Sequence, residues 1–96
     1  MNAAESVGPV LHATPFARKV IAAIQDENEQ VTVQDEGAYI RVLSPRICRL
    51  SRVGLEAATG VNVRFPGELE VVMSSFTGAM RLTEDDAIWQ LAEDPW

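Results

Sequence analysis

Histidine and cysteine each occur once in the 96 residues, as His12 and Cys48. A single cysteine closes no internal disulfide, completes no CxxC redox pair and supplies no thiolate metal cluster. A single histidine completes no zinc or diiron ligand set. The chain also lacks a G-x-S-x-G elbow around Ser74 or Ser75, an H-E-x-x-H helix and a D-x-[DN]-x-[DN]-G calcium loop. Gly54, Gly60 and Gly67 are too widely spaced to cradle a phosphate. We therefore expect a non-catalytic protein with no cofactor and no metal. The acidic groups Glu68/Glu70, Glu84-Asp85-Asp86 and Glu93-Asp94 read as solvated charge at turns and ends.

Basic residues are in deficit, 8 against 14 acidic, for a net charge of -6. This balance argues against nucleic acid or an anionic membrane surface as partner. No run of about 18 apolar residues spans a bilayer. Met1 to Ser6 carries neither a basic region nor an apolar core of an export signal, so a cytoplasmic protein is expected. What basic charge there is clusters: Arg41, Arg46, Arg49, Arg52 and Arg64 are five of the eight. That stretch is either a docking patch for an acidic partner or a solvated face balancing its neighbours.

The length suits one domain over 7–96, preceded by a short flexible arm over 1–6. Val7 to Ala13 is an apolar run that Pro9 confines to an edge strand or a strand start. Thr14-Pro15 opens a helix over about 15–28, with Phe16, Val20 and Ile24 on one stripe. Val31 to Gln34 and Ala38 to Leu43 flank Asp35-Glu36-Gly37 as a hairpin, and Ser44-Pro45 breaks the return strand. Arg46 to Leu50 is a further short strand that would bury Cys48. Ser51 caps a second helix over Arg52 to Thr59, closed by Gly60.

The stretch Glu68 to Leu82 organises the rest. Leu69, Val71 and Met73 alternate with Glu68, Glu70, Val72 and Ser74 as a half-buried strand, and Phe76 continues the outward series. Ser74-Ser75-Phe76-Thr77-Gly78 interrupts the alternation before Met80 and Leu82 resume it. Such a break is either a contact surface or a tight turn with a core Phe. Ala87 to Leu91 is the last strand, with Trp89 in the core and Trp96 as a loose end or a lid. The sum is an α/β two-layer sandwich, β-α-β-β-(β)-α-β-β-β, with two helices and mixed or antiparallel sheets.

Val7-Gly8-Pro9-Val10, Val31 to Asp35 with Gly37 to Arg41, Leu55 to Gly60, and above all Leu69 to Gly78 resemble, in order and spacing, a known family. It comprises the small effector, coupling or regulatory proteins of soluble multicomponent diiron monooxygenases, most similar here to the toluene, phenol and alkene branch. The resemblance implies a cofactor-free α/β protein, monomeric when free. Its partner would be the diiron hydroxylase component, whose active site, substrate and oxygen access and coupling to hydrocarbon hydroxylation or epoxidation it would modulate. It implies hydroxylase contact through Val72, Ser74, Ser75, Phe76, Thr77 and Gly78, and the basic stretch from Arg41 to Arg64 would then help to steer docking, Arg49 and Arg64 above all. Val72 and Phe76 stand where some relatives have Asn and Thr. The other reading is a generic protein-binding or small-ligand α/β module.

Overall fold

The computed structural model describes residues 5–92, and two antiparallel sheets frame it. Strand β1 (Ser6–His12) is followed by helix α1 (Pro15–Glu27) and the hairpin β2 (Thr32–Asp35) and β3 (Tyr39–Pro45). Then come β4 (Ile47–Ser51), α2 (Arg52–Thr59), α3 (Gly67–Val72), β5 (Met73–Thr77), β6 (Ala79–Leu82) and β7 (Asp86–Gln90). One sheet has the order β2-β3-β1-β5 and the other β4-β7-β6. A single core joins them, from Val7, Leu11, Ile40 and Val42 through Val20 and Ile24 of α1 to Cys48, Leu50 and Trp89.

Local chemistry places the two longer helices as expected. The Thr14 hydroxyl accepts the Ala17 N–H at 3.0 Å, and Pro15 occupies a position whose missing N–H costs nothing. Ser51 accepts from the Gly54 N–H at 2.9 Å, and Gly60 ends α2 in the left-handed region at φ 78°. The β2–β3 turn is held by the Gly37 N–H donating to Asp35 Oδ1 at 2.9 Å.

Four expectations need correction. The stretch from Glu68 does not begin as a strand: Gly67–Val72 is helix α3, a third helix among the described residues, and the strand starts only at Met73. Leu69 and Val72 are buried three residues apart, while Val71 is 79% exposed, a helical phase rather than an alternating one. Arg64 and Glu68 start this helix reciprocally. The Arg64 N–H donates to Glu68 Oε2 at 2.6 Å, and the Glu68 N–H donates to the Arg64 carbonyl at 2.9 Å.

Second, Pro9 sits in a central strand, since β1 pairs with both β3 and β5. The ladder to β3 pairs Val7 with Ser44 and Val10 with Arg41 and lapses at the two residues between, where proline has no N–H to give. Gly8 makes the lapse possible, because a Cβ there would lie 2.1 Å from the Val42 carbonyl oxygen. Third, β3 continues through Pro45, and the break falls at Arg46, which adopts φ 65°. Fourth, Ser6 is already in β1, opposite Pro45. The rest of the expected arm, apart from Glu5, and the Trp96 end lie outside the described residues.

Candidate functional site

The interrupted stretch forms an edge strand with a bulge in it. Among the described residues β5 pairs with β1 alone, matching Thr77 with Gly8, Phe76 with Pro9, Ser75 with Val10 and then Met73 with Leu11. Ser74 is therefore the extra residue, and its hydroxyl donates to the Val10 carbonyl at 3.2 Å. A bulge bends the strand and re-aims the side chains on either side of it. Ser74, Ser75 and Phe76 are consequently exposed in succession, which a regular half-buried strand does not allow.

The register also corrects the assignment of Phe76 to an outward series. Directly opposed residues share a sheet face, so Phe76 lies on the face of Pro9, the side that β1 turns to the core with Val7 and Leu11. It escapes burial because β5 is the last strand: its ring is 42% exposed and stands outside the core cluster. Val72, expected at the surface with it, is 8% exposed and packs in the core from α3.

Gly78 is where the chain leaves one sheet for the other. It has φ 95°, and a Cβ there would lie 2.6 Å from the Gln90 carbonyl oxygen and 2.7 Å from Val7 Cγ1. Only glycine fits both the conformation and the space.

Arg49 and Arg64, the two arginines of the basic cluster expected to steer docking, lie on separate elements. Arg49 is exposed on β4, with Cys48 and Leu50 buried on either side. Asn28, just past α1, closes the edge beside it: the Arg49 N–H donates to Asn28 Oδ1 at 3.0 Å, and Asn28 Nδ2 donates to the Arg49 carbonyl at 2.9 Å. Arg64 is exposed ahead of α3. Arg52 is bound into the protein's own charge, 3.4 Å from both Glu56 and Asp85. Burial, with a smaller push from the Glu27 carboxylate, raises the Cys48 thiol to about 12, so the residue is an inert core filler.

Among the described residues no three His, Cys, Asp or Glu side chains converge as a metal site, and no helix is long and apolar enough to cross a membrane. An open groove is lined by Glu27, Asn28, Ser44, Ile47 and Arg49, among others. Sequence reasoning missed Asn28, whose partner lies 21 residues away. It also missed that His12 and Tyr39 meet across β1 and β3 with ring centroids 5.5 Å apart. Tyr39 was visible only as one member of an alternating strand.

The model of the MmoB/DmpM family matches residues 5–90. The effector subunit of the alkene monooxygenase system of Xanthobacter autotrophicus is 36% identical over 85 residues, covering 86% of this chain and 83% of the relative. A chain from a structure of the phenol hydroxylase–regulatory protein complex superposes with a TM-score of 0.80 at 20% identity, covering 88% of this chain and 97% of that one. A second structure of such a complex gives 0.77 at 19%, covering 88% and 98%. At those identities the two structures speak for the fold.

Proposed function

Because the chain belongs to the MmoB/DmpM family, we propose that it works as the non-catalytic effector subunit of a multicomponent monooxygenase, binding the hydroxylase component and regulating it. The observation that carries this is β5, a bulged edge strand presenting Ser74, Ser75 and Phe76 to solvent beside a glycine corner. Small hydroxyls allow close backbone approach, and a half-exposed aromatic ring is a suitable anchor for a partner's pocket. Thr77 and Gly78 complete this contact. Val72 supports it from the core rather than touching the partner. Arg49 and Arg64 contribute long-range attraction to an acidic hydroxylase surface.

In this reading the chain is monomeric when free, cytoplasmic and without cofactor, and the oxygen chemistry belongs to the diiron hydroxylase. Its own contribution is a coupling free energy: docking favours one conformation of the hydroxylase over another, typically by about 1–3 kcal/mol, or roughly 5- to 150-fold. Access of substrate and oxygen, and the share of electrons that ends in hydroxylated or epoxidised hydrocarbon, follow from that shift. The test is steady-state turnover of the matching hydroxylase and its electron donors, with and without this protein. Turnover or coupling should rise on addition, and indifference to the protein refutes the reading.

A further inference from the structure

The register of the four-stranded sheet sorts its side chains into two faces. Gln34, Arg41, Val10 and Ser75 stand in one row across all four strands, on the face opposite to that of the core residues Ile40, Val42, Val7 and Leu11. His12 and Tyr39 oppose each other on the same side of the sheet. Tyr39 is 46% exposed, with its ring against His12.

One carboxylate borders this face: the β2–β3 register runs on past Asp35 and Ile40 to exposed Glu36, whose N–H donates to the Tyr39 carbonyl at 2.8 Å. The chain holds 14 acidic residues, yet inside β1, β2, β3 and β5 none of the positions on this face is Asp or Glu. Asp35, at the end of β2, opposes Ile40 and so falls on the core-ward side, where it pairs with Arg18 at 3.8 Å. Arg41, by contrast, has no ion-pair partner among the described residues and is exposed in the middle of β3. A protein of net charge -6 thus presents one sheet face poor in acidic side chains, with Arg41 at its middle, Glu36 at one edge, an exposed tyrosine on it and Ser75 of the bulged strand at its border.

We infer that this face, from Ser75 through Val10 and Arg41 to Gln34 and flanked by His12 and Tyr39, is a docking surface for an acidic patch of the hydroxylase component. The inference rests on the effector reading and adds to it the face that docks. Three features favour that occupant. The face is continuous with the β5 contact through Ser75. On it a negatively charged partner meets Arg41, which has no ion-pair partner among the described residues, and a single carboxylate at the edge. Its tyrosine and arginine are of the types that dominate binding energy when desolvated.

The test is a calorimetric titration of the hydroxylase component with the wild-type chain and with Arg41→Glu, Tyr39→Ala and Lys19→Glu, at low and high salt. Thermal unfolding of each variant checks its fold. Lys19 is an exposed residue of α1, so its reversal makes the same change in net charge away from this face. Arg41→Glu and Tyr39→Ala should each raise Kd about tenfold or more, with Arg41→Glu also flattening the salt dependence, while Lys19→Glu stays within about twofold. Kd unchanged for both Arg41→Glu and Tyr39→Ala, with the wild type binding and raising turnover, overturns the face and leaves the effector reading standing. Equal weakening by Lys19→Glu and Arg41→Glu means that net charge alone matters, which also overturns it. A wild-type chain that neither binds nor alters turnover removes the effector reading and this face together.

Discussion

Asn28 acts as a one-residue substitute for a neighbouring strand along Arg49. Its carboxamide accepts the Arg49 N–H and donates to the Arg49 carbonyl, while Nδ2 also reaches the Ile24 carbonyl at 2.7 Å and so satisfies the end of α1. Beside it, the Glu27 carboxylate accepts the Ser51 N–H, at 2.9 Å to the nearer oxygen. The open edge of β4 is thereby closed to pairing with another chain. Asn28→Ala should cost about 1–2 kcal/mol in denaturant unfolding, the range of a few partly solvated hydrogen bonds. It should also raise the tendency to self-associate, read by sedimentation. Unchanged stability would mean that water replaces the carboxamide without loss.

Phe76 and Leu69 should separate function from stability. Leu69 is fully buried, and Leu69→Ala should cost about 2–5 kcal/mol. Phe76→Ala should cost under about 2 kcal/mol because its ring is only partly buried and stands outside the core cluster, yet it should lower hydroxylase turnover or divert electrons to peroxide. Chemical denaturation gives the first quantity and oxygen-to-product stoichiometry the second. A cost above about 3 kcal/mol for Phe76→Ala would place the ring in the core.

Gly78→Val, at the same surface, should behave differently. The added side chain meets a backbone carbonyl and Val7 at a positive φ, so we expect more than about 2 kcal/mol of destabilisation. Loss of activity at this position therefore reports the fold, and thermal unfolding should show it before any binding assay does.

Cys48 gives a pH dependence with a defined sign. Its thiol is raised from 9.0 to about 12 in the folded chain, first by burial and then by Glu27. The unfolded thiol loses its proton at lower pH than the folded one, so this stability is whole below pH 9 and is lost as pH rises toward about 12. Cys48→Ala should flatten the stability profile over that window. In the native protein the thiol should react slowly with a disulfide reagent at pH 8, and in denaturant fast. Equal rates would show that the strand is exposed.

Where structure depends on neighbours in the chain, the sequence declares it. Thr14, Ser51, Gly37 and Gly60 each meet a requirement within a few residues, and the elements they bound are where local chemistry puts them. The errors arise where distant pairing decides. Six residues are too few to distinguish a helical repeat from an alternating one, so Leu69, Val71 and Met73 read as one face when Leu69 and Val72 are the buried pair. One unpaired residue, Ser74, reverses the facing of everything before it relative to Phe76, and nothing within the strand announces it. Pro9 reads as an edge marker, yet Gly8 beside it lets β3 come close enough to bridge the gap. The family resemblance located the interrupted stretch but not the sheet face behind it, which exists only once β1 joins β3 to β5.

Gly78 is the whole connection between β5 in one sheet and β6 in the other, wedged between Val7 and Gln90. A joint with no slack transmits displacement. A partner that pushes β5 sideways should move the end of β7 with it, and Trp89, fully buried and with no hydrogen-bond partner for its indole N–H among the described residues, lies one residue from that end. Its fluorescence should therefore shift on docking, and one extra residue inserted after Gly78 should abolish that shift.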